Sequence, residues 1–89
     1  MFLEIITPHK VFFKGEVDIV RVPGTKGSFA MLNNHEAIVS SLEPGVIKVG
    51  AIGKERYFQL SEKALVEQHS NKITIIATKI EEVGYSALI

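Results

Sequence analysis

Three histidines and one aspartate of this chain could support catalysis or metal binding, since imidazole and carboxylate groups bind metals and transfer protons. His9, His35 and His69 lie far apart, without the i, i+2 or i, i+4 spacing of a local metal-ligand pair, and Asp18 is the sole aspartate. Only a fold that gathers all three histidines could build a metal site from them. We therefore predict no catalytic residue, no metal site and no cofactor.

Nucleophiles and paired carboxylates give no better case for catalysis. The chain has no cysteine and no G-x-S-x-G nucleophile elbow. Glu81 and Glu82 could act as a pair only if they faced the same way, and neighbours on a strand do not. The sequence therefore favours a protein that is not an enzyme and has no small-molecule substrate.

Glycine patterns hint weakly at phosphate or nucleic-acid binding. Residues 45–50 have the span of a Walker A loop, but they end in Gly50-Ala51, where Gly-Lys-Ser/Thr is needed to reach phosphate and magnesium. Residues 24–27 and 50–53 fit the G-x-x-G of nucleic-acid-binding KH loops, which must join two helices. Both lie between strand patterns, so we interpret them as hairpin turns.

The elements that position these residues are predicted to be β-strands. Ile and Val number 20 against 12 for Leu and Ala, and β-branched side chains fit a pleated sheet. Turn-forming clusters recur about ten residues apart, which is typical of a sandwich or barrel. The predicted strands cover residues 3–7, 11–13, 17–22, 28–32, 37–42, 46–51, 56–60, 65–68 and 72–78. We predict an all-β fold, a flattened β-sandwich or barrel of about nine or ten short, mainly antiparallel strands.

Alternation of apolar and polar residues orients two of these strands. The odd-numbered side chains expected to point inward are Ile47, Val49, Ala51, Ile73, Ile75 and Ala77. Residues 17–22 do not alternate cleanly, because Val17 and Ile19 share one face while Val20 and Val22 share the other. We interpret this segment as a strand covered on both faces, with a partner-binding face as the alternative.

Charge and composition exclude several classes of protein. Ten basic side chains balance ten acidic ones, so no overall positive field attracts nucleic acid. Apolar runs are far shorter than the roughly 20 residues of a membrane span. The absence of cysteine fits a reducing compartment. We predict one small domain, cytosolic or facing the cytosol, with no nucleic-acid partner and no membrane insertion.

One long stretch is more specific than any of these motifs. It begins with Val22-Pro23-Gly24-Thr25 and continues at ordered spacing through Gly27, Phe29, Leu32, His35, Leu42, Pro44 and Gly45. The chain from about Phe2 to Thr78 resembles the epsilon subunit of bacterial F-type ATP synthases, specifically its N-terminal β-sandwich domain. The pattern keeps its register over nearly the whole chain.

The resemblance implies a non-catalytic subunit of the central stalk, or rotor. Such a subunit binds the gamma subunit and the ring of c subunits, and it couples rotation driven by proton or sodium flow to ATP synthesis. It lies at the cytoplasmic face of the bacterial inner membrane as a peripheral part of the ATP synthase. A stand-alone β-sandwich binding module is the alternative function.

The resemblance also assigns contact residues by position. Contact with the c-ring falls on Lys26, Gly27 and Ser28. Contact with gamma falls on four positions, Thr7, His35, Glu36 and Ser40. Many relatives carry glutamate where Ser28 stands, so a charge-assisted contact with the ring at this position is weaker here or is made by other groups.

The resemblance finally suggests where the domain ends. Residues 1–78 are expected to form the sandwich, and residues 79–89 a short tail. Longer relatives continue into two helices, which with their turn need roughly 35–50 residues, and only eleven residues follow Thr78. We therefore expect no helical domain, no inhibitory switch and no associated nucleotide site.

Overall fold

A computed structural model describes residues 1–88, which fold into ten strands and a short 3₁₀ helix at Tyr85–Leu88. The strands are β1 (Phe2–Ile6), β2 (Val11–Glu16), β3 (Ile19–Val22), β4 (Phe29–Leu32), β5 (Ile38–Leu42), β6 (Gly45–Ala51), β7 (Lys54–Leu60), β8 (Ala64–His69), β9 (Lys72–Ala77) and β10 (Ile80–Val83). The predicted all-β fold is confirmed.

Two five-stranded sheets pack face to face. Sheet A has the order β2-β1-β9-β8-β5, and sheet B has the order β10-β7-β6-β3-β4. Every pairing between neighbouring strands is antiparallel except that of β1 with β9. The architecture is therefore the mainly antiparallel sandwich that the turn spacing predicts.

The core fills the space between the sheets and follows the predicted alternation. Side chains that are almost completely buried include Ile47, Val49, Ile73, Ile75 and Ala77, while Ala51 is half-buried near the end of β6. Each of these positions was expected to point inward. Because successive side chains of a strand point to opposite faces, their even-numbered neighbours lie on the outer faces of the sheets.

The irregular pattern of residues 17–22 marks the place where the chain changes sheets. Val17 precedes β3, and its amide donates to the Met1 carbonyl at 2.9 Å, which ties it to the sheet A side of the sandwich. Asp18 then donates its amide to the Gly50 carbonyl on sheet B at 2.8 Å. Val17 and Val20 are both buried although they lie on opposite sides of this crossing. The segment is thus two pieces of chain, and not one strand covered on both faces.

The register between β1 and β2 shifts at Ile5 and Ile6, where β2 carries one extra residue. A bulge of this kind lets two successive side chains reach the same side of a sheet. Phe12 and Phe13 both contact Phe58, with ring centroids 5.9 and 5.5 Å from its ring. The bulge therefore completes an aromatic cluster inside the sandwich.

Strand β10 was not among the predicted strands. Ile80–Val83 pairs antiparallel with β7, with Ile80 opposite Leu60 and Val83 opposite Tyr57, and Ile80 packs against the core. The sandwich therefore continues beyond the boundary expected at Thr78. The segment is short and has few apolar residues, so its sequence does not indicate a strand. The open edge of β7 supplies the hydrogen-bond partners for its backbone.

Gln68 is the one buried polar side chain in the core of the described chain, and neither its amide nitrogen nor its amide oxygen has a hydrogen-bond partner within residues 1–88. Burial of an unpaired amide costs about 1–3 kcal/mol. We expect Gln68→Met, which keeps the volume and removes the amide, to raise the melting temperature by about 4–8 °C. Thermal denaturation followed by circular dichroism measures this.

Gln59→Met is the matched control for that substitution. The Gln59 amide donates to the carbonyls of Gly45 and Leu60, both at 3.2 Å, so its loss should lower the melting temperature. A lower melting temperature for Gln68→Met would contradict the prediction and would mean that this amide finds a partner, such as a buried water, in solution.

Candidate partner-binding surfaces

The turns gather at two ends of the sandwich. We call the upper end the one that carries the turns at 7–10, 23–28, 43–44, 61–63 and 78–79. The lower end carries Met1 and the turns at 33–37, 52–53 and 70–71. These assignments follow from the register of the strand pairs.

The structure separates the three histidines that could have formed a metal site. His9 lies in an upper turn, whereas His35 and His69 lie toward the lower end. Within residues 1–88, no group of three or more His, Cys, Asp or Glu side chains is placed to hold a metal ion. No helix in this part of the chain is long and apolar enough to cross a membrane.

The three residues predicted to contact the c-ring form a rigid, exposed turn at the upper end. The Gly27 amide donates to the Gly24 carbonyl at 2.9 Å, and Gly27 has φ +124°, a region in which glycine is favoured. Thr25 ties the turn to β5, because its amide donates to the Ser41 carbonyl at 3.1 Å and its hydroxyl lies 2.9 Å from that of Ser41. The turn therefore holds the exposed Lys26 and Ser28 in fixed positions.

Close packing explains why this turn needs glycine at its first position. A Cβ atom on Gly24 would lie 2.7 Å from the Gly27 carbonyl oxygen and 2.9 Å from the Phe29 ring. Gly24 also forms an isolated bridge with Leu42. The glycine of the Val-Pro-Gly-Thr run is thus a structural requirement of the turn that presents Lys26.

The four residues predicted to contact gamma do not form one cluster. Thr7 closes the upper β1–β2 turn, where its amide and its hydroxyl both donate to the Lys10 carbonyl. His35 and Glu36 lie at the lower end, close to Asn33, whose side chain accepts a hydrogen bond from the Met1 amino group. Thr7 lies six positions after Met1, which is about 20 Å along a strand. Ser40 lies between the two ends, on the edge strand β5.

An apolar stripe crosses the outer face of sheet A near Thr7. It consists of four side chains in direct cross-strand register on four neighbouring strands, namely Leu65, Ile76, Ile6 and Val11. Leu65, Ile76 and Val11 are 42%, 52% and 48% exposed, and Ile6 is half-buried. At about 4.8 Å between strands, the stripe is about 14 Å long. A contiguous, exposed apolar row of this kind is a candidate surface for a partner.

The stripe was not predicted, although the sequence contains a signal for it. Ile5-Ile6 and Ile75-Ile76 are adjacent apolar pairs in strands, and one member of each pair must face outward. Ile5 and Ile75 are fully buried, so Ile6 and Ile76 take the outer positions. The pairing of β1 with β9, which places them side by side, joins segments about 70 residues apart in the sequence and was not predictable from local pattern.

The outer face of sheet B is polar at its centre. Lys48 and Glu55 form an ion pair at 2.9 Å, and the Tyr57 hydroxyl donates to Glu55 at 2.9 Å. The hydrogen bond from Lys48 lowers the pKa of Glu55, and the same bond raises the pKa of Lys48. This central network satisfies its own charges, so sheet A offers the more apolar face to a partner.

A bidentate ion pair attaches β10 to β7. The Arg56 guanidinium donates two hydrogen bonds of 2.8 Å to Glu82 and lies 4.7 Å from the centre of the Phe13 ring. The hydrogen bonds from Arg56 lower the pKa of the Glu82 carboxyl. A carboxyl with a lowered pKa in the folded state stabilises the fold above its unfolded pKa, and this contribution is lost as the pH falls through the folded value.

We therefore expect Glu82→Gln to be less stable than the parent chain near neutral pH and equal to it in acid. Both side chains are about half exposed, so the difference in the free energy of unfolding should stay below about 1 kcal/mol. Urea unfolding from about pH 7 to about pH 3 measures it. A difference that persists at the acidic limit would show that the carboxylate charge is not its cause.

Known proteins that are similar in sequence to this chain include ATP synthase epsilon chains. The family model for the ATP synthase delta/epsilon chain, beta-sandwich domain, matches residues 1–83. The ATP synthase epsilon chain of Bradyrhizobium sp. (strain BTAi1) is 33% identical in an alignment 91 positions long, which covers 94% of this chain and 64% of the relative. That of Campylobacter hominis is 33% identical in an alignment 87 positions long, which covers 97% of this chain and 67% of the relative. The chain thus spans about two thirds of the length of these relatives.

Solved structures show the same fold. A chain of the Euglena gracilis mitochondrial ATP synthase (OSCP/F1/c-ring) matches 97% of this chain and 57% of its own length, with a TM-score of 0.83 and 20% identity. A chain of the Tetrahymena thermophila mitochondrial ATP synthase (central stalk/c-ring) matches 91% of this chain and 65% of its own, with a TM-score of 0.76 and 18% identity.

Proposed function

We propose that this chain, which belongs to the ATP synthase delta/epsilon β-sandwich family, is a non-catalytic central-stalk subunit that couples rotation of the c-ring through gamma to ATP synthesis. The observation that carries the proposal is the family match over residues 1–83, on a fold whose outer surface offers an apolar stripe and a rigid exposed turn. In this role the subunit lies at the cytoplasmic face of the bacterial inner membrane as a peripheral part of the complex.

Gamma is proposed to cover the apolar stripe and the adjoining edge of sheet A. Thr7 follows Ile6 of the stripe directly in the chain. Ser40 lies on β5, at the edge of sheet A, but it is opposite the buried Val66, and its side chain shares the inner face of the sheet with that of Leu42. One of the four predicted gamma contacts thus adjoins the stripe, and Ser40 lies on the sheet edge beside it. Burial of its exposed apolar side chains would favour association without any net charge on this chain.

The c-ring is proposed to contact the upper turn through Lys26, Gly27 and Ser28. Lys26 provides three N–H donors, and the Ser28 hydroxyl both donates and accepts. The complementary surface on the c-ring would be polar loops that present backbone carbonyls or carboxylates. Because the turn is hydrogen-bonded to β5, a force applied to it is transmitted to the sandwich.

Co-expression of the tagged chain with gamma from the same organism tests the proposal. The two proteins should co-elute from gel filtration as one complex, and the complex should then bind detergent-solubilised c-ring. Lys26→Glu should weaken the second step and leave the first unchanged. Elution of the chain alone, with gamma shown to be folded, would contradict the central-stalk role.

A stand-alone binding module is the second candidate, and one feature favours it. A cleft of about 280 Å³ opens between the sheets beside Phe13, Val49 and Ala51. Its charged lining residues are Lys14, Glu16, Lys54 and Arg56. A largely apolar cleft with three cations and one carboxylate at its border fits a small amphipathic anion. Binding of such a compound by a chain that ignores gamma would favour this candidate.

A further inference from the structure

Ile52 occupies an unusual position at the tip of the β6–β7 hairpin. Its side chain is 91% exposed, the largest exposure among the large apolar residues of the described chain. Its φ is +45°, and Gly53 follows with φ +72°. Two successive positive φ values define a two-residue hairpin turn in which Asn-Gly and Gly-Gly are strongly favoured.

An isoleucine is a poor choice for this turn on two counts. A β-branched side chain at positive φ is strained, because its Cβ substituents crowd the backbone. The exposed side chain also gains no stabilisation from burial in the core. The other non-glycine residues with positive φ are Asn34, Ser70 and Asn71, all polar and suited to turns. The fold itself therefore does not account for isoleucine at position 52.

The tip is also held rigidly. The Ile52 amide donates to the Asp18 carboxylate at 3.0 Å, and the Asp18 amide donates to the Gly50 carbonyl at 2.8 Å. Asp18 belongs to the crossing between the two sheets, so the tip is fixed to the body of the sandwich. A Cβ atom at Gly50 would lie 2.8 Å from Ile19, which shows how closely the base of the hairpin is packed. A rigid tip inserts a side chain at low entropic cost.

We propose that Ile52 is an anchor that inserts into an apolar pocket of the gamma subunit at the lower end of the sandwich. The inference rests on the proposed function, in which the upper turn faces the c-ring and the lower end therefore faces away from it. One protruding aliphatic side chain fits a pocket of its own size, in the manner of an interface hot spot. The charged residues around the tip are Asp18, Lys54 and Glu55, so the tip has no net positive charge that would attract an anionic lipid surface.

The variant Ile52→Asn separates the effect of this residue on stability from its effect on gamma binding. Asparagine tolerates positive φ, so the isolated variant should melt at a higher temperature, by about 4 °C or more. Its complex with gamma should have a Kd raised about tenfold or more, because the anchor is lost. Thermal denaturation and isothermal titration with purified gamma give the two readouts.

Two further variants serve as controls. Ser70→Asn relieves the same kind of backbone strain in the other lower hairpin, where Ser70 has φ +52°, so it should raise the melting temperature without changing the affinity for gamma. Ile52→Leu keeps an aliphatic side chain without the β-branch, so it should bind gamma within about threefold of the parent chain.

Three outcomes would overturn the inference. If Ile52→Asn binds gamma as tightly as the parent chain does, Ile52 is not an anchor although the proposed function stands. If the variant instead abolishes a concentration-dependent dimer of the isolated chain, the occupant is a second copy. If the parent chain and Ser70→Asn both fail to bind folded gamma, the proposed function fails and the anchor fails with it.

Discussion

Replacement of Ile76 with lysine is expected to weaken binding to gamma by about 100-fold or more and to leave the domain folded. Ile76 lies within the apolar stripe, between Leu65 and Ile6, and is 52% exposed. In the free domain a lysine here keeps its ammonium group in water. In the complex that charge would be buried without a partner, which costs several kcal/mol. Isothermal titration with gamma measures the loss, and an unchanged circular dichroism melt shows that the variant is folded.

Leu32→Lys is the comparison variant for this prediction. Leu32 is 54% exposed and also lies on a strand, but on the outer face of sheet B at the lower end, where its carbonyl accepts a hydrogen bond from the His35 amide. The substitution adds the same charge and removes a similar apolar area, so any general effect of charge on association is shared. Because gamma is also proposed to contact the lower end, Leu32→Lys tests that contact and Ile76→Lys tests the stripe. Loss of affinity only in Leu32→Lys would contradict a gamma-binding role for the stripe and would assign that role to the lower end of sheet B.

Local patterns in the sequence were sufficient for most of the fold. Strict alternation predicted the inward positions of Ile47, Ile73 and Ile75 because the outer face of a strand tolerates polar residues and the inner face does not. The same rule was misleading where the chain leaves one sheet for the other. Val17 and Val20 break the alternation because each is buried on a different side of the crossing, and periodicity cannot distinguish this from a strand covered on both faces.

Long-range pairing accounts for what the sequence could not predict about the candidate surfaces. The stripe depends on the parallel pairing of β1 with β9, and β10 depends on the open edge of β7. The resemblance located the upper turn at Lys26–Ser28, but it could not indicate that Thr7 and His35 lie at opposite ends of the sandwich. The sequence places Ile52 in a G-x-x-G hairpin turn but does not predict its role, because its exposure and its backbone angle are properties of the folded chain.

Truncation of Phe58 to alanine should remove about 3–5 kcal/mol of stability. Phe58 is 1% exposed, and its ring contacts both Phe12 and Phe13. The Arg56 guanidinium that attaches β10 also lies 5.7 Å from the Phe58 ring. A domain of this length has a total stability of about 4–13 kcal/mol, so a large share of it depends on this side chain. Urea denaturation should show a much lower midpoint, or a chain that is already partly unfolded without urea.

Two further variants show whether loss of the aromatic ring of Phe58 causes the loss of stability. Phe58→Leu keeps most of the apolar volume and should lose only about 1–2 kcal/mol. Phe12→Ala removes the same ring from a half-buried site at the bulge, so it should cost clearly less than Phe58→Ala. Because Phe58 belongs to neither the stripe nor the upper turn, its truncation should reduce gamma and c-ring binding in proportion to the unfolded fraction. A folded Phe58→Ala variant that selectively lost one partner would contradict this purely structural role.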